Sequence, residues 1–255
     1  MRVLIITVAG IASRFNKDIE KPTVKCIFYK EKPQYSLLYQ MFIKISNCDR
    51  IIIVGGYEFK QLTEYIETYL SNFIYKTEII FNPHFKDYGS GYSLYLGIKA
   101  AEKINANEII FAEGDLFFSK TDFKKVILSN HDVLTINKVP IESGKAVLVY
   151  ENLSNNMKYL YDTGHKELYI KEPFKSIYNS AQIWKFISPL RLYEANEKLT
   201  KLQQMVTNLE IINSYFSNIT KDNISIITMN TWINCNTIHD YELMLKAIKI
   251  QRKLI

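Results

Sequence analysis

Arg14, Lys25 and Asp115 are the residues of this 255-residue chain whose types and settings suit work on a phosphate. Arg14 closes the run Val3-Leu4-Ile5-Ile6-Thr7-Val8-Ala9-Gly10-Ile11-Ala12-Ser13-Arg14. Its apolar, β-branched opening reads as a buried strand. The small residues that follow would let backbone N–H groups approach an anion closely. Arg14 and then Lys25, after Lys21-Pro22-Thr23-Val24, would add charge against a polyphosphate. On pattern alone, a first strand with a tight turn and two surface cations is the commoner outcome. Asp115 stands behind Gly114 at the end of the apolar run Glu108-Ile109-Ile110-Phe111-Ala112. A carboxylate there can hold Mg²⁺, which favours hard oxygen ligands, although an isolated aspartate in a turn is more often a turn former. Asn234 and Asn236 have the same two readings, as ligand oxygens or as turn residues. The segment Asn82 to Tyr95 gathers small, hydroxyl-bearing and aromatic residues. These could frame a base or a small head group, or could form a loop whose helix is capped by Ser90.

Several chemistries find no support. His84, His131, His165 and His239 share no metal-like spacing. There is no Walker A sequence, GxGxxG, Gly-x-Ser-x-Gly elbow or Cys/His nucleophile pattern. Cys26, Cys48 and Cys235 are odd in number and lack CxxC spacing, so neither a disulfide framework nor a zinc site is expected, and a reduced cytoplasmic protein is the simplest reading. A net charge of +6 suits an anionic ligand. The cations are scattered, and no basic strip interleaved with aromatics marks a nucleic-acid surface. Arg2 and the run Val3 to Val8 mimic a short signal peptide, but the run is at the lower limit of length and Arg14 follows at once. No stretch approaches the roughly 20 apolar residues of a membrane span.

The elements that must carry these residues alternate. Strands are expected at Ile51–Val54, Glu78–Asn82 and Glu108–Ala112. Helices are expected at Tyr35–Ile45, Phe59–Phe73 and Tyr92–Ile104. This alternation predicts an α/β fold, Rossmann-like, with a mixed, mainly parallel sheet flanked by helices. Ligands in such sheets bind outside the carboxyl ends of the strands, where the Ala9 to Arg14 loop and Asp115 both fall. The second half is less regular. Short strands are expected at Asp132–Asn137, Ala146–Tyr150, Lys158–Tyr161, Ser180–Phe186 and Ile224–Met229, and helices at Pro189–Lys198, Lys201–Ser217 and Asp240–Lys253. Nothing splits the chain, so a single domain over 1–255 is expected.

Together these segments resemble the nucleotidyltransferases that make nucleotide-diphospho sugars and alcohols. Their first strand is followed by Ala-Ala-Gly-x-Gly-Ser/Thr-Arg and a Pro-Lys pair, here Val8-Ala9-Gly10-Ile11-Ala12-Ser13-Arg14, Pro22 and Lys25. Within that group the chain is similar to bacterial phosphocholine cytidylyltransferases, through Asn82 to Leu96 and through Asn236-Thr237-Ile238-His239-Asp240-Tyr241. The resemblance implies their fold, with a nucleotide-binding half at about 1–115 and an acceptor-binding half at about 116–255. It implies Mg²⁺ on Asp115 and Asn236, and catalysis by Lys25, Arg14 and Asp115. CTP would lie on Val8, Ala9, Gly10, Ala12, Ser13, Arg14, Gly56, Ser90 and Ser93. Tyr88, Tyr92, Trp184 and Glu172 would hold a small phosphorylated or phosphonate acceptor, phosphocholine-like, for decoration of a cell-surface polysaccharide. A homodimer is admitted. Two departures stand out. Ala12 replaces the loop's second glycine, and Thr23-Val24 separates Pro22 from Lys25. Lys21 is therefore a rival for the catalytic lysine, with Lys25 preferred because Cys26-Ile27-Phe28 follows it. A sugar-1-phosphate nucleotidyltransferase using UTP, GTP or dTTP is the second reading, and a non-catalytic basic binding module the third.

Overall fold

The computed structural model describes residues 1–253 except Ser46 and His165, so the reading of His165 lies outside the described residues; the side chains of 251–253 are likewise outside it. In chain order the elements are β1 (Arg2–Thr7), α1 (Ser13–Asn16), α2 (Leu37–Phe42), β2 (Arg50–Gly55), α3 (Phe59–Tyr69), β3 (Thr77–Phe81), α4 (Ser90–Lys103), β4 (Glu108–Glu113), β5 (Leu116–Phe118) and α5 (Lys120–Leu128). Then follow β6 (Asp132–Asn137), β7 (Leu148–Asn152), β8 (Met157–Leu160), β9 (Phe174–Phe186), α6 (Pro189–Glu197), α7 (Lys201–Gln204), α8 (Leu209–Phe216), β10 (Ile224–Met229), β11 (Trp232–Asn234) and α9 (Ile238–Lys253). The main sheet runs β10-β6-β9-β4-β1-β2-β3, with β7 and β8 attached beside β9 and a separate β11–β5 ribbon. β1, β2, β3 and β4 are parallel, β10 is parallel to β6, and β9 runs antiparallel between β4 and β6.

Both faces of the central strands are covered, which is why their sequences are continuous apolar runs rather than alternations. Leu4, Ile6, Ile51 and Ile53 enter one core, and Val3, Ile5, Ile52 and Val54 the other. α4 lies close on the second face because Gly97 has no side chain; a Cβ there would come within 2.5 Å of Ile5 Cγ2. No helix of the described residues is long and apolar enough to cross a membrane. All three cysteines are free and buried.

The expected helix from Lys201 to Ser217 is two helices. The carbonyls of Met205 and Val206 accept from the backbone N–H groups of Gly89 (2.7 Å) and Gly91 (3.0 Å) instead of continuing a helical ladder. Tertiary pairing thereby overrides local helical preference and seats the start of α4. β9 is longer than the expected Ser180–Phe186 because its outer half, mostly solvent-facing, pairs with β7.

One core residue is an outlier. The Lys44 ammonium is buried 3.5 Å over the centre of the Phe117 ring and has no hydrogen-bond partner among the described residues. The ring face favours the charge by about 2 kcal/mol, but burial dominates and pushes the pKa down to about 7. The folded chain then binds fewer protons than the unfolded chain between pH 7 and 10.5, so stability rises with pH across that window. Lys44→Met should flatten the rise and stabilise the protein at pH 7 by a few kcal/mol, at about 1.4 kcal/mol for each tenfold difference in proton affinity between the folded and unfolded chains. Urea unfolding of both proteins at pH 7 and pH 9.5 checks this. Equal pH dependence in the two would show that the amine stays charged in the fold.

Candidate active site

The loop after β1 is fixed from both ends. Val8 N–H donates to Val54 O at 2.8 Å, and Phe15, fully buried, anchors the far side. Between them Ala12 takes a left-handed conformation (φ 55, ψ 44). This is the position where the resembled motif carries glycine, and the backbone bend it serves is retained with an alanine in a conformation that glycine adopts more easily. Asn16 then ties this loop to the next segment. Its Nδ2 donates to Ile11 O (2.8 Å) and Thr23 O (3.2 Å), and its Oδ1 accepts from Thr23 N (3.1 Å). Val24, Cys26 and Ile27 are buried on either side of Lys25, leaving its side chain to reach outward. At the end of β4, a Cβ on Gly114 would come within 2.1 Å of Val8 Cγ1 and 2.9 Å of Thr7 O. Only glycine lets the two strand ends pass this closely, and the passage delivers Asp115.

Four side chains from distant parts of the chain meet there. Lys25 Nζ donates to Asp115 Oδ2 at 2.8 Å and to Asn236 Oδ1 at 3.3 Å. Arg14 Nη2 donates to the same Asn236 Oδ1 at 3.1 Å. Backbone bonds hold the frame: Asp115 O accepts from Cys235 N at 2.9 Å, and the Asp240 carboxylate accepts from the backbone N–H groups of Asn236 (3.0 Å) and Thr237 (2.8 Å). Asp115 Oδ1 is buried and has no hydrogen-bond partner among the described residues. A carboxylate with one orphaned oxygen, whose other oxygen shares Lys25 with the Asn236 amide oxygen, is a donor set suited to Mg²⁺, which takes one or two protein oxygens and completes its shell with waters and substrate phosphates. The described residues hold no cluster of three or more His, Cys, Asp or Glu side chains that would suit a metal held by protein alone.

Two cavities share this cluster. One, of about 300 Å³, is lined by Val8, Ala9, Gly10, Ala12, Lys25, Tyr88 and Ser93 among others. The second, of about 640 Å³, is lined by Arg14, Tyr161, Asn179, Gln182, Trp232, Asn234 and Asn236 among others. Ser90, Glu113 and Asp115 border both. In the smaller cavity a side chain on Gly10 would meet nothing within 4 Å, so this stretch of loop faces open space. Deeper in, Asn82 Nδ2 donates to Ser93 Oγ at 2.9 Å while its Oδ1 accepts from His84 N at 2.8 Å. At the shared border Asn208 Nδ2 donates to Glu113 Oε1 at 2.7 Å, and Asn208 N–H to Ser90 Oγ at 3.1 Å. Burial, and then the neighbouring Asp115 carboxylate, push the Glu113 pKa up to about 7.

Of the residues expected in the site, Arg14, Lys25, Asp115, Asn236, Val8, Ala9, Gly10, Ala12, Tyr88, Ser90 and Ser93 line one cavity or both. Five others do not. Trp184 is fully buried, stacked 5.1 Å from Phe111 and edge-on to Tyr159, and is core. Glu172 accepts from Tyr150, Asn152 and Lys158 and is engaged by that side-chain cluster. Tyr92 stacks on Tyr95 and meets Tyr88 edge-on, one ring back from the cavity. Gly56 makes room behind the loop, since a Cβ there would come within 2.4 Å of Phe85 and 2.9 Å of Ala9 O. Ser13 begins α1 on the exposed side. The expected cap also moves: Gly89 is the N-cap of α4, and Ser90, its first residue, turns its hydroxyl to Asn208. Lys21 lines a separate cavity with Tyr29, Tyr65 and Tyr69, away from Asp115. Sequence reasoning misses Asn208, Glu113 and Gln182. The available signal for Asn208 is its place, with Thr207, inside an otherwise helical run, since such residues favour caps and turns over helix interiors.

Comparison with solved structures finds the same fold. An inositol-1-phosphate CTP transferase from T. maritima superposes with a TM-score of 0.70, at 16% identity over 96% of each chain. A putative glucose-1-phosphate thymidylyltransferase from Bacillus anthracis, in complex with a sucrose, gives 0.70 at 17% identity over 96% of this chain and 94% of that one. The CTP:phosphocholine cytidylyltransferase from Streptococcus pneumoniae gives 0.61 at 19% identity over 97% and 100%. A search of curated proteins found no sequence match. A family model described as a domain of unknown function (DUF6564) matches residues 21–248, so the chain belongs to that family, on an α/β fold shared with nucleotidyltransferases.

Proposed function

We propose that the protein transfers CMP from CTP to a small phosphorylated or phosphonate acceptor and releases pyrophosphate. The observation that carries this reading is the meeting of Arg14, Lys25, Asp115 and Asn236 on the border between two cavities. The smaller cavity suits the nucleotide, with the Val8 to Ala12 loop beside its phosphates. The larger suits the acceptor. An acceptor phosphate oxygen attacks the α-phosphorus, and the bond from that phosphorus to the oxygen bridging to the β-phosphate breaks. The acceptor oxygen is already ionised at neutral pH, so no side-chain nucleophile or general base is needed. The barrier is one of bringing anions together and of charge moving toward pyrophosphate. Lys25 and Arg14, held in place before substrate arrives, neutralise that charge. Mg²⁺, held by Asp115 and Asn236 when bound, would supply Lewis-acid polarisation of the phosphoryl oxygens. The three structural neighbours described above, each named as a nucleotidyltransferase, support the reaction class.

The larger cavity also favours one acceptor chemistry. Asn179, Gln182, Asn208, Asn234 and Asn236 line it, against two aromatic residues, Tyr161 and Trp232. A quaternary ammonium group is held by aromatic faces and cannot hydrogen-bond. Amide side chains suit hydroxyl groups, which both donate and accept. Two further lining carboxylates, Glu142 and Asp240, are already engaged by Lys145 and by the backbone N–H groups of Asn236 and Thr237, so a hydroxyl-bearing phosphorylated acceptor fits this wall better than phosphocholine does. The test is a competition with CTP and Mg²⁺ among phosphocholine, phosphoethanolamine, a phosphonate alcohol, an acidic phosphorylated amino acid and polyol phosphates at equal concentration. Preferential conversion of a polyol phosphate is expected. Preference for phosphocholine would overturn the amide-wall argument and leave cytidylyl transfer standing.

A further inference from the structure

Gln182 sits near the middle of β9, almost fully buried, with φ at 59, the left-handed region. A side-chain-bearing residue holds that conformation only where its surroundings over-determine it, and such positions cluster at functional sites. Here three side chains do so. Gln182 N–H donates to Ser180 Oγ at 3.1 Å, and Trp232 Nε1 donates to Ala181 O at 2.8 Å. Thr135 Oγ1 donates to Ile183 O at 2.7 Å and accepts from Ile183 N at 3.1 Å, where the β6–β9 register slips. The distortion is therefore locked from β6, β9 and β11 together.

What it presents is an amide. Gln182 Oε1 accepts from Asn234 Nδ2 at 3.1 Å, and Asn234 Oδ1 accepts from Asn236 Nδ2 at 2.9 Å. Asn236 Oδ1 then accepts from Arg14 and Lys25. Asn234 and Asn236 each commit their N–H₂ end to the previous oxygen, so the chain has one direction. An amide that flips exchanges a donor for an acceptor at nearly the same place. With Gln182 Oε1 accepting at one end and Lys25 and Arg14 donating at the other, the Asn236 amide is held from both sides with its oxygen toward the two cations. If the first acceptor is lost, Asn234 is free to turn and Asn236 Nδ2 loses the partner that fixes it, so its oxygen is held toward Lys25 and Arg14 from one side only.

We propose that Gln182 is a positioning residue that sets the orientation of the Asn236 amide through Asn234. Its kinetic consequences rest on the reaction proposed above; its structural consequence does not. Three variants separate the possibilities. Gln182→Glu keeps an acceptor oxygen, Gln182→Leu removes it, and Gln182→Gly removes it while relieving the left-handed backbone. In the ligand-free protein, the side-chain amide resonances of Asn234 and Asn236 in ¹H–¹⁵N spectra should shift in the Leu and Gly variants and stay near the wild-type positions in Gln182→Glu. Loss of an outer partner of this kind typically lowers metal affinity or activity by about 10- to 100-fold. That loss in kcat is expected for Gln182→Leu and Gln182→Gly, with rescue by Gln182→Glu, and with a Tm for Gln182→Gly no lower than that of the wild type. Gln182 also lines the larger cavity, so the Leu change is repeated in an Asn234→Ala background, where the relay is already cut and no further loss in kcat is expected. A full additional loss there would show that Gln182 acts directly on the acceptor and would overturn the relay, as would unmoved Asn236 resonances in the Leu and Gly variants. If wild-type protein consumes no nucleotide, cytidylyl transfer fails, and the Asn236 resonances still decide the relay.

Discussion

Asp115→Asn should abolish most turnover while the protein still folds. The asparagine keeps the shape, and the backbone carbonyl still accepts from Cys235. What disappears is the charge opposite Lys25 and the anionic character of Oδ1, the one carboxylate oxygen among the described residues that is buried and unpartnered. Lewis-acid assistance at such a centre is worth several kcal/mol, or about three decades in rate. The lost ion pair involves side chains only 16% and 17% exposed. Leaving Lys25 unpaired costs on the order of 1 kcal/mol, a fall in Tm of about 2–4 °C for a domain of this size. Steady-state kinetics and a melting curve on the same preparation check both parts. Near-normal kcat in the variant would remove Asp115 from the chemistry.

Lys25→Ala should lower kcat by about 10²–10³, the usual cost of losing one preorganised electrostatic contact, while Lys21→Ala should leave kcat within about twofold. Residue order alone leaves the two lysines as rivals across Pro22. In the structure Lys25 bridges Asp115 and Asn236, whereas Lys21 is exposed beside a tyrosine-lined cavity elsewhere. The same KM for CTP in both variants would place the Lys25 effect on the transition state rather than on binding. The reverse ranking of the two lysines would mean that the ligand-free ion pair does not mark the reacting centre.

Much of this architecture could be read from residue order because the central strands are buried on both faces. Val3 to Ile6, Ile51 to Val54 and Ile109 to Ala112 are runs that few other structures accommodate. Where a third partner intervened, reading failed. The break at Met205 to Asn208 exists because carbonyls there hold Gly89 and Gly91, and no local pattern encodes a hydrogen bond to a segment so distant. The outer half of β9 is mostly exposed, with Phe174, Ile177 and Tyr178 interrupted by Lys175 and Ser176, so it shows neither a continuous apolar run nor a clean alternation that would mark its pairing with β7. Arg14, Lys25 and Asp115 stood out in residue order only through likeness to a known motif, because cations after a small-residue turn and an aspartate behind a glycine are common without a purpose. The amide lining of the larger cavity was not legible. Trp184 was expected there as an aromatic anchor, but a large aromatic ring gains most from burial and stacks inside the core. The amides that do line the wall, Gln182 and Asn234 among them, look like ordinary strand and turn residues until the left-handed turn of Gln182 brings them into one chain.

In the proposed reaction the bond made is to the α-phosphorus of CTP. Phosphorus-31 NMR of the protein with CTP, Mg²⁺ and a polyol phosphate follows that atom directly. The three CTP resonances should decline together, free pyrophosphate should grow in step, and two coupled resonances of a new diphosphate diester should appear in equal amount, with CTP consumed faster than UTP, GTP or dTTP. Growth of inorganic phosphate and CDP in place of pyrophosphate, or no change in CTP with any phosphorylated acceptor, would contradict it.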